Sequence, residues 1–303
     1  MSAPEPTTFD SNGQALSLRV WEPVGPPKAL LQIVHGMAEH IARYDRLARA
    51  FTSRGYRVFG HDHRGHGLTA TKETLGHLGS FSACVEDLRN VSASMQPDPA
   101  LPMGIFAHSL GSFMAQELLL QAPDHADAWA LSGSNGKPPP IAQVGRLVAR
   151  IERFRLSPTR ESRLLQFLSF GKFNDDFPGR TDFDWLSRDD AEVDKYVADP
   201  LCGFGVSAGT WVSFLDALGP AADPFRQRML PRDTPLYLVG GDQDPVSEKG
   251  KGMRALESAY RLAGLRDVTL RLYEGARHEI VNETNRDEVT DALVAWFDER
   301  LFP

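Results

Sequence analysis

The residue with the clearest chemical prospect is Ser109, in the stretch FAHSLGSFMA (106–115). Small residues flank it, Ala107 two positions before and Gly111 two after. An apolar run leads into it and a helical pattern starts directly behind it, so the chain must reverse within about two residues, the geometry of a nucleophile elbow that pushes a serine hydroxyl out at the top of a sheet. The usual pattern is G-x-S-x-G; here it is A-x-S-x-G. A serine hydroxyl is a poor nucleophile at its own pKa. It needs a base within hydrogen-bond reach and an acid that orients the base. In this kind of fold both follow the serine, each just past a strand end, acid first. YLVGGDQDPV (237–246) offers Asp242 and Asp244, and LRLYEGARHEI (270–280) offers His278, the only histidine after residue 125. Asp244, deeper in its loop and fixed by Pro245, is favoured as the acid, with Asp242 as the alternative. A developing oxyanion needs preformed donors. The Leu110 amide opens the helix behind the serine, where the helix dipole adds to it. By position, the Met37 amide in the loop HGMAEH (35–40) is the second donor.

A rival chemistry comes from HDHRGHG (61–67), where His61, Asp62, His63 and His66 sit within six positions. The spacing H-x-H-x-x-H resembles the zinc loop of metallo-β-lactamases. In that loop an aspartate ligand precedes the third histidine, where this chain has Gly65, and further ligands would have to come from later loops, where His108, His125 and His278 are spare. The structural reading is better: Asp62 ends a strand, Gly65 and Gly67 permit left-handed turns, and the histidines bond to the loops beneath the nucleophile. No metal and no organic cofactor is expected.

These residues need a frame. From residue 29 short apolar runs alternate with helical patterns: strands at 29–36, 57–62, 103–109 and 128–134, with helices at 43–55, 80–95 and 110–122 between them. Ser80 is placed to cap the second helix. The alternation stops at 135 and resumes with a strand at 235–245, a helix from about 247 to 263, a strand at 268–275 and a helix at 285–301. Such alternation predicts a mostly parallel, doubly wound α/β sheet covered on both faces. SLRVWEP (17–23) adds an antiparallel edge strand. The interruption is too long for a loop. After Pro138, Pro139 and Pro140 it carries Ile141, Val144, Leu147, Val148, Ile151 and Phe154 at helical spacing, then the apolar LLQFLSF (164–170). It reads as an inserted helical cap, giving three segments: core 1–134, cap 135–230 and core 231–303.

Composition narrows the functional classes. Of 303 residues, 42% are hydrophobic and 24% charged, which suits a soluble globular chain with a sizeable core. The net charge of −7 argues against nucleic acid and against electrostatic docking on anionic membranes. No apolar run reaches membrane-spanning length, and MSAPEPTTFDSNG has neither the basic nor the apolar region of a signal peptide. Cys84 and Cys202, without paired spacing, point to the cytoplasm.

The residues assembled so far resemble the monoacylglycerol lipase and lysophospholipase group of α/β-hydrolases, often described as serine aminopeptidase-like. HGMAEHIARY (35–44) matches that family's H-G-x-x-E-H-x-x-R-Y, and DHRGHG (62–67) its D-H-x-G-H-G; AHSLG (107–111), GGDQDPV (240–246) and GARHE (275–279) follow in order. The resemblance implies an α/β-hydrolase fold, Ser109, Asp244 and His278 as triad, Met37 and Leu110 as oxyanion donors, and a cap that receives an acyl chain. The expected activity is hydrolysis of monoacyl lipid esters. Glu39 and Arg43, four apart and suitably ordered to pair, are expected to hold the oxyanion loop or to meet a polar head group. Leu147 and Ile151 are expected on the acyl channel, with transient contact between the cap and a membrane or micelle through apolar residues. An aminopeptidase or amidase of the same fold, or a non-catalytic binding protein, are the alternatives. Oligomeric state is not legible.

Overall fold

A computed structural model of the chain describes residues 3–96, 98–138 and 141–302, the side chain of Ile141 excepted. Eight strands form one sheet: β1 (Thr7–Ser11), β2 (Gln14–Trp21), β3 (Ala29–Val34), β4 (Tyr56–His61), β5 (Met103–His108), β6 (Ala128–Ser132), β7 (Leu236–Gly241) and β8 (Val268–Tyr273). Their order is β1-β2-β4-β3-β5-β6-β7-β8. β3 to β8 pair in parallel, while β1 and β2 run antiparallel at one side. Every residue of β3, β5, β6 and β7 is buried. That explains why these strands appear in the sequence as continuous apolar runs rather than alternating ones.

The helices are α1 (Asp45–Ser53), α2 (Phe81–Met95), α3 (Leu110–Gln121), α4 (Ile141–Leu156), α5 (Arg163–Phe170), α6 (Asp190–Ala198), α7 (Ala208–Ala221), α8 (Pro224–Gln227), α9 (Lys251–Ala263) and α10 (Arg286–Leu301). α2, α3 and α9 cover one face of the sheet, contributing Leu88, Met114 and Leu256 to its apolar layer. α1 and α10 cover the other with Phe51, Leu293 and Phe297. Both faces of the sheet are thereby closed, and the strand ends that carry chemistry open toward α4–α8.

Three local departures from expectation have physical causes. The antiparallel strand β2 is not the edge: β1, a short polar strand, pairs with it across Asn12 and Gly13, both at positive φ (53° and 84°). The Asn-Gly pair is the hairpin signal that the polar TTFDS obscured. α9 starts at Lys251 rather than near 247, because Glu248, Lys249 and Gly250 are all at positive φ, which an L-residue helix does not accept. The helix expected from 43 begins as a 3-10 turn over Ile41–Tyr44 before α1.

Between β6 and β7 the chain forms α4 to α8. Ala149, Leu165, Val206, Trp211 and Val212 make its own small core. α7 wedges this unit onto the sheet domain, with Phe214 ring to ring against Phe113 (5.4 Å) and Phe81 (6.2 Å). Pro139, Pro140 and the Ile141 side chain, part of the expected cap pattern, lie outside the described residues. No described helix is long and apolar enough to cross a membrane.

Candidate active site

β5 ends at His108 and α3 starts at Leu110. Ser109, between them, is held at φ 51°, ψ −122°. Such a backbone costs on the order of 1–3 kcal/mol and persists only where its surroundings impose it. The glycine two residues later is obligatory: a Cβ at Gly111 would lie 2.5 Å from the carbonyl oxygens of both Val34 and His35. Ala107, which replaces the usual glycine, is wholly buried in β5 opposite Val34. The Ser109 hydroxyl makes no hydrogen bond among the described residues and faces a cavity that His278 also lines.

His278 is buried, and its Nδ1 lies 3.0 Å from Oδ1 of Asp244. Asp244 is fully buried, and the same oxygen accepts the Val246 amide at 2.9 Å. Asp242 is occupied elsewhere, accepting from the Gly275 amide (2.8 Å) and Gln243 (3.1 Å). Burial pushes the His278 pKa down, but the attraction and hydrogen bond of Asp244 outweigh it and hold the pKa above the ordinary histidine value. His108 and Trp185 flank the imidazole, with ring centres 4.6 and 5.2 Å away. Met37 and Leu110 line the same cavity, and neither amide has an acceptor among the described residues.

A buried ionic network ties the loop of Met37 to the loop of His278. Glu39 accepts the Gly36 amide (2.5 Å) and the Tyr44 hydroxyl (2.8 Å) on one oxygen and Arg43 (2.6 Å) on the other. Arg43 also forks onto both oxygens of Glu279 at 2.6 Å and lies over the Tyr196 ring. Burial raises the Glu39 pKa despite Arg43; for Glu279, burial works the same way, but Arg43 prevails and the pKa falls. Glu39 lines the cavity and Arg43 does not. The guanidinium of Arg43 is held by Glu39 and Glu279 away from the cavity lining, the placement of a residue that secures the oxyanion loop rather than one that meets a head group.

The histidine-rich stretch is a scaffold beneath this loop. Asp62 accepts the amides of Ile41 (2.9 Å) and Leu68 (2.8 Å). His63 exchanges two 3.0 Å contacts with His35, whose Nδ1 meets the Gly36 carbonyl at 2.8 Å. A Cβ on Gly67 would sit 2.3 Å from the Asp62 carboxyl carbon, so the turn admits only glycine. Burial lowers the pKa of His35 and His63 and brings His61 and His66 down to about 4, which keeps the cluster neutral.

Sequence reasoning missed the ties between the cap and the oxyanion loop. Tyr196 donates to the Ala38 carbonyl (2.9 Å), as does the Gly203 amide (3.0 Å), and His40 meets Asp199 at 2.8 Å. A lone tyrosine and a histidine-aspartate pair 159 residues apart leave no pattern to read. The cavity between sheet and cap measures about 800 Å³, and its lining includes the rings of Phe113, Phe170, Trp185, Trp211 and Phe214. Leu147 and Ile151, expected on the acyl channel, are not part of its lining and are 61% and 55% exposed. The helical face was read correctly, but the buried side of α4 is the one bearing Ala149 and Glu152, so the larger apolar residues point outward.

Residues 25–285 match the family described as serine aminopeptidase, S33. The chain belongs to this family. It is 30% identical over 303 residues to the monoglyceride lipase of Rattus norvegicus, covering 98% of this chain and 91% of that protein. It is 31% identical to the monoacylglycerol lipase of Mycolicibacterium smegmatis, over 93% and 92% of the two chains. In three dimensions it matches a thermostable carboxyl esterase from Bacillus coagulans, solved in complex with glycerol, with a TM-score of 0.89 at 26% identity over 98% of each chain.

Proposed function

We propose that the protein hydrolyses carboxylic esters of monoacyl lipids of the monoacylglycerol type, with Ser109 as nucleophile, His278 as general base and acid, and Asp244 as the group that fixes the imidazole. The observation that carries this reading is the coincidence, in one ring-lined cavity of about 800 Å³, of a free serine hydroxyl, a histidine paired with a buried aspartate and two unclaimed amides. His278 Nε2 takes the Ser109 proton as the hydroxyl attacks the ester carbonyl. The Met37 and Leu110 amides take the oxyanion. The leaving alcohol receives the proton from His278, and a water activated by the same imidazole then releases the acid. The acyl chain occupies the aromatic cavity under the cap, and α4–α5 touches the lipid surface that supplies it. Glu39, beside Met37, meets the alcohol portion with lone pairs that its protein partners leave free.

The peptidase reading needs a free carboxylate to hold a substrate amine. Glu39 and Glu279 in the cavity wall are both bound to Arg43, and the other acids there, Asp182 and Glu248, are exposed. The two cysteines, free and buried, fit a reducing cytosol. The test is a set of hydrolysis rates on monoacylglycerols, p-nitrophenyl esters of rising chain length and aminoacyl anilides, with fluorophosphonate labelling of Ser109. Medium and long esters should be the best substrates, and the label should be absent from Ser109→Ala. Anilides cleaved faster than every ester would overturn the reading.

A further inference from the structure

The net charge of −7 conceals a local reversal of sign in the first two helices of the cap. Residues 141–170 contain six arginines and no lysine, against two glutamates, a local +4. The same segment carries half of the exposed large apolar side chains among the described residues: Val144, Leu147, Ile151, Phe154, Leu164, Phe167 and Leu168 are 45–95% exposed. Leu147, Ile151 and Phe154 share one face of α4, and Arg150 and Arg155 flank it at neighbouring helical positions. Arg153, Arg160 and Arg163 have no ion pair or side-chain hydrogen bond among the described residues, while Arg150 meets only the half-exposed Asp216 at 3.2 Å. An apolar strip bordered by arginines is the composition of a helix that lies in a lipid interface, rings and aliphatic groups inward and guanidinium groups at the phosphate level.

The wall of the cavity reaches the neighbouring helix α5. Arg163 and Phe167, both exposed, also line the cavity that holds Ser109. A lipid surface covering α4–α5 would therefore lie against side chains that also border the cavity.

From this placement of charge we infer that α4–α5 docks on anionic phospholipid bilayers, and that lipid charge, rather than apolar contact alone, selects the membrane on which the enzyme works. The inference rests on the proposed acyl-lipid reading of the cavity and specifies its partner. It departs from the expectation that a chain of net −7 avoids anionic membranes: all acidic groups but Glu152 and Glu161 lie outside the docking segment, and a surface potential reaches only about a Debye length, some 8–10 Å. Nucleic acid would attract the same arginines but would leave seven exposed apolar side chains uncovered, so lipid is the better fit.

The experiment uses the full chain carrying Ser109→Ala, which binds lipid without consuming it, and vesicles of phosphatidylcholine alone or mixed with phosphatidylglycerol. Binding to the anionic vesicles should be roughly tenfold tighter or more, at about fivefold per engaged arginine, and the preference should vanish near 1 M salt, where the Debye length is about 3 Å. Arg153→Gln with Arg160→Gln should remove most of the preference without changing the melting temperature or the rate on a soluble short ester. Phe154→Ser should weaken binding to both vesicle types. Equal binding to the two vesicles, insensitivity to the arginine pair, or a preference for RNA over anionic vesicles would overturn the inference. Because binding is read on the Ser109 variant, failure of the esterase reading appears separately, as absent hydrolysis by the unsubstituted enzyme.

Discussion

Two regions of the molecule solve opposite problems. Around Ser109 the polar side chains are enclosed and joined: Glu39, Arg43, Glu279, Asp62, Asp244 and His278 bond to backbone or to one another, several of them across loops far apart in sequence. In α4–α5 the reverse holds. Among the described side chains of residues 142–170, only Ala149, Glu152, Ser162 and Leu165 are buried, and large apolar groups face solvent. Positioning a proton transfer requires atoms fixed to within fractions of an ångström. Meeting a fluid lipid surface requires exposed apolar area and no fixed geometry. A substitution should therefore cost activity or stability heavily in the first region and little in the second.

The sharpest contrast is expected at the triad. Ser109→Ala should lower kcat by at least about four orders of magnitude, leaving only the catalysis that oxyanion donors and binding provide, while thermal unfolding stays near that of the unsubstituted chain. Asp244→Asn should cost a similar factor by placing the imidazole in the wrong tautomer. Asp242→Asn, which disturbs only the Gly275 and Gln243 contacts, should cost far less. Steady-state rates on a soluble ester check all three, and the reverse order of the two aspartates would move the orienting acid to Asp242.

Next in size is the network that joins the two loops. Arg43→Ala leaves Glu39 and Glu279 buried without their cation, and removing one partner of a buried pair costs about 3–5 kcal/mol. Urea unfolding should show that loss, with kcat falling alongside it as the Met37 amide and His278 lose their common tether. An unchanged midpoint would mean that the network is not what holds the loops.

Acid should separate chemistry from scaffold. The His278 pKa is raised, so activity should fall as pH drops through a value above 6.5, where the base is protonated while the fold is intact. His61 and His66 have folded pKa values of about 4, below the unfolded value, so the unfolded chain binds more protons as pH falls. Their contribution is fully present above pH 6.5 and is lost progressively toward pH 4, by up to about 3 kcal/mol each. Two midpoints are expected: reversible loss of rate first, then loss of circular dichroism at lower pH. A single coincident midpoint would break the distinction.

The same division governs what was legible in the sequence. Local rules place the parallel strands, the elbow at Ser109 and His278 past β8, because a buried strand writes a continuous apolar run and the chain order of the triad limits the choice of base. Long-range polar ties leave no such trace. The bond from Tyr196 to Ala38 and the Arg43–Glu279 fork join residues 158 and 236 positions apart, and each partner alone is an ordinary polar residue. The orientation of α4 was misread for a related reason. Periodicity shows that Leu147 and Ile151 share a face, but the side that turns inward is decided by what packs there. Here Glu152 is sequestered by Ser162 and Arg155, and the apolar face is left outside.

The smallest effect tests that orientation. Leu147→Asp lies on an exposed surface, so it should change stability by no more than about 0.5 kcal/mol. It should leave the chain-length dependence of dissolved monomeric esters intact. A cavity residue should behave differently. Phe170 lines the cavity and packs against Trp185 and Trp211. Each buried methylene of substrate contributes about 0.8 kcal/mol, so going from a four- to an eight-carbon ester should raise kcat/KM by up to roughly two orders of magnitude in the unsubstituted enzyme. Phe170→Ala should flatten that rise, while the rate on the shortest ester changes little. On vesicle-bound substrate the ranking should invert, with Leu147→Asp impaired by loss of docking. If Leu147→Asp flattened the series on monomeric esters as strongly as Phe170→Ala, the acyl chain would be running along the outer face of α4, and the separation between the reacting cavity and the lipid-facing surface would fail.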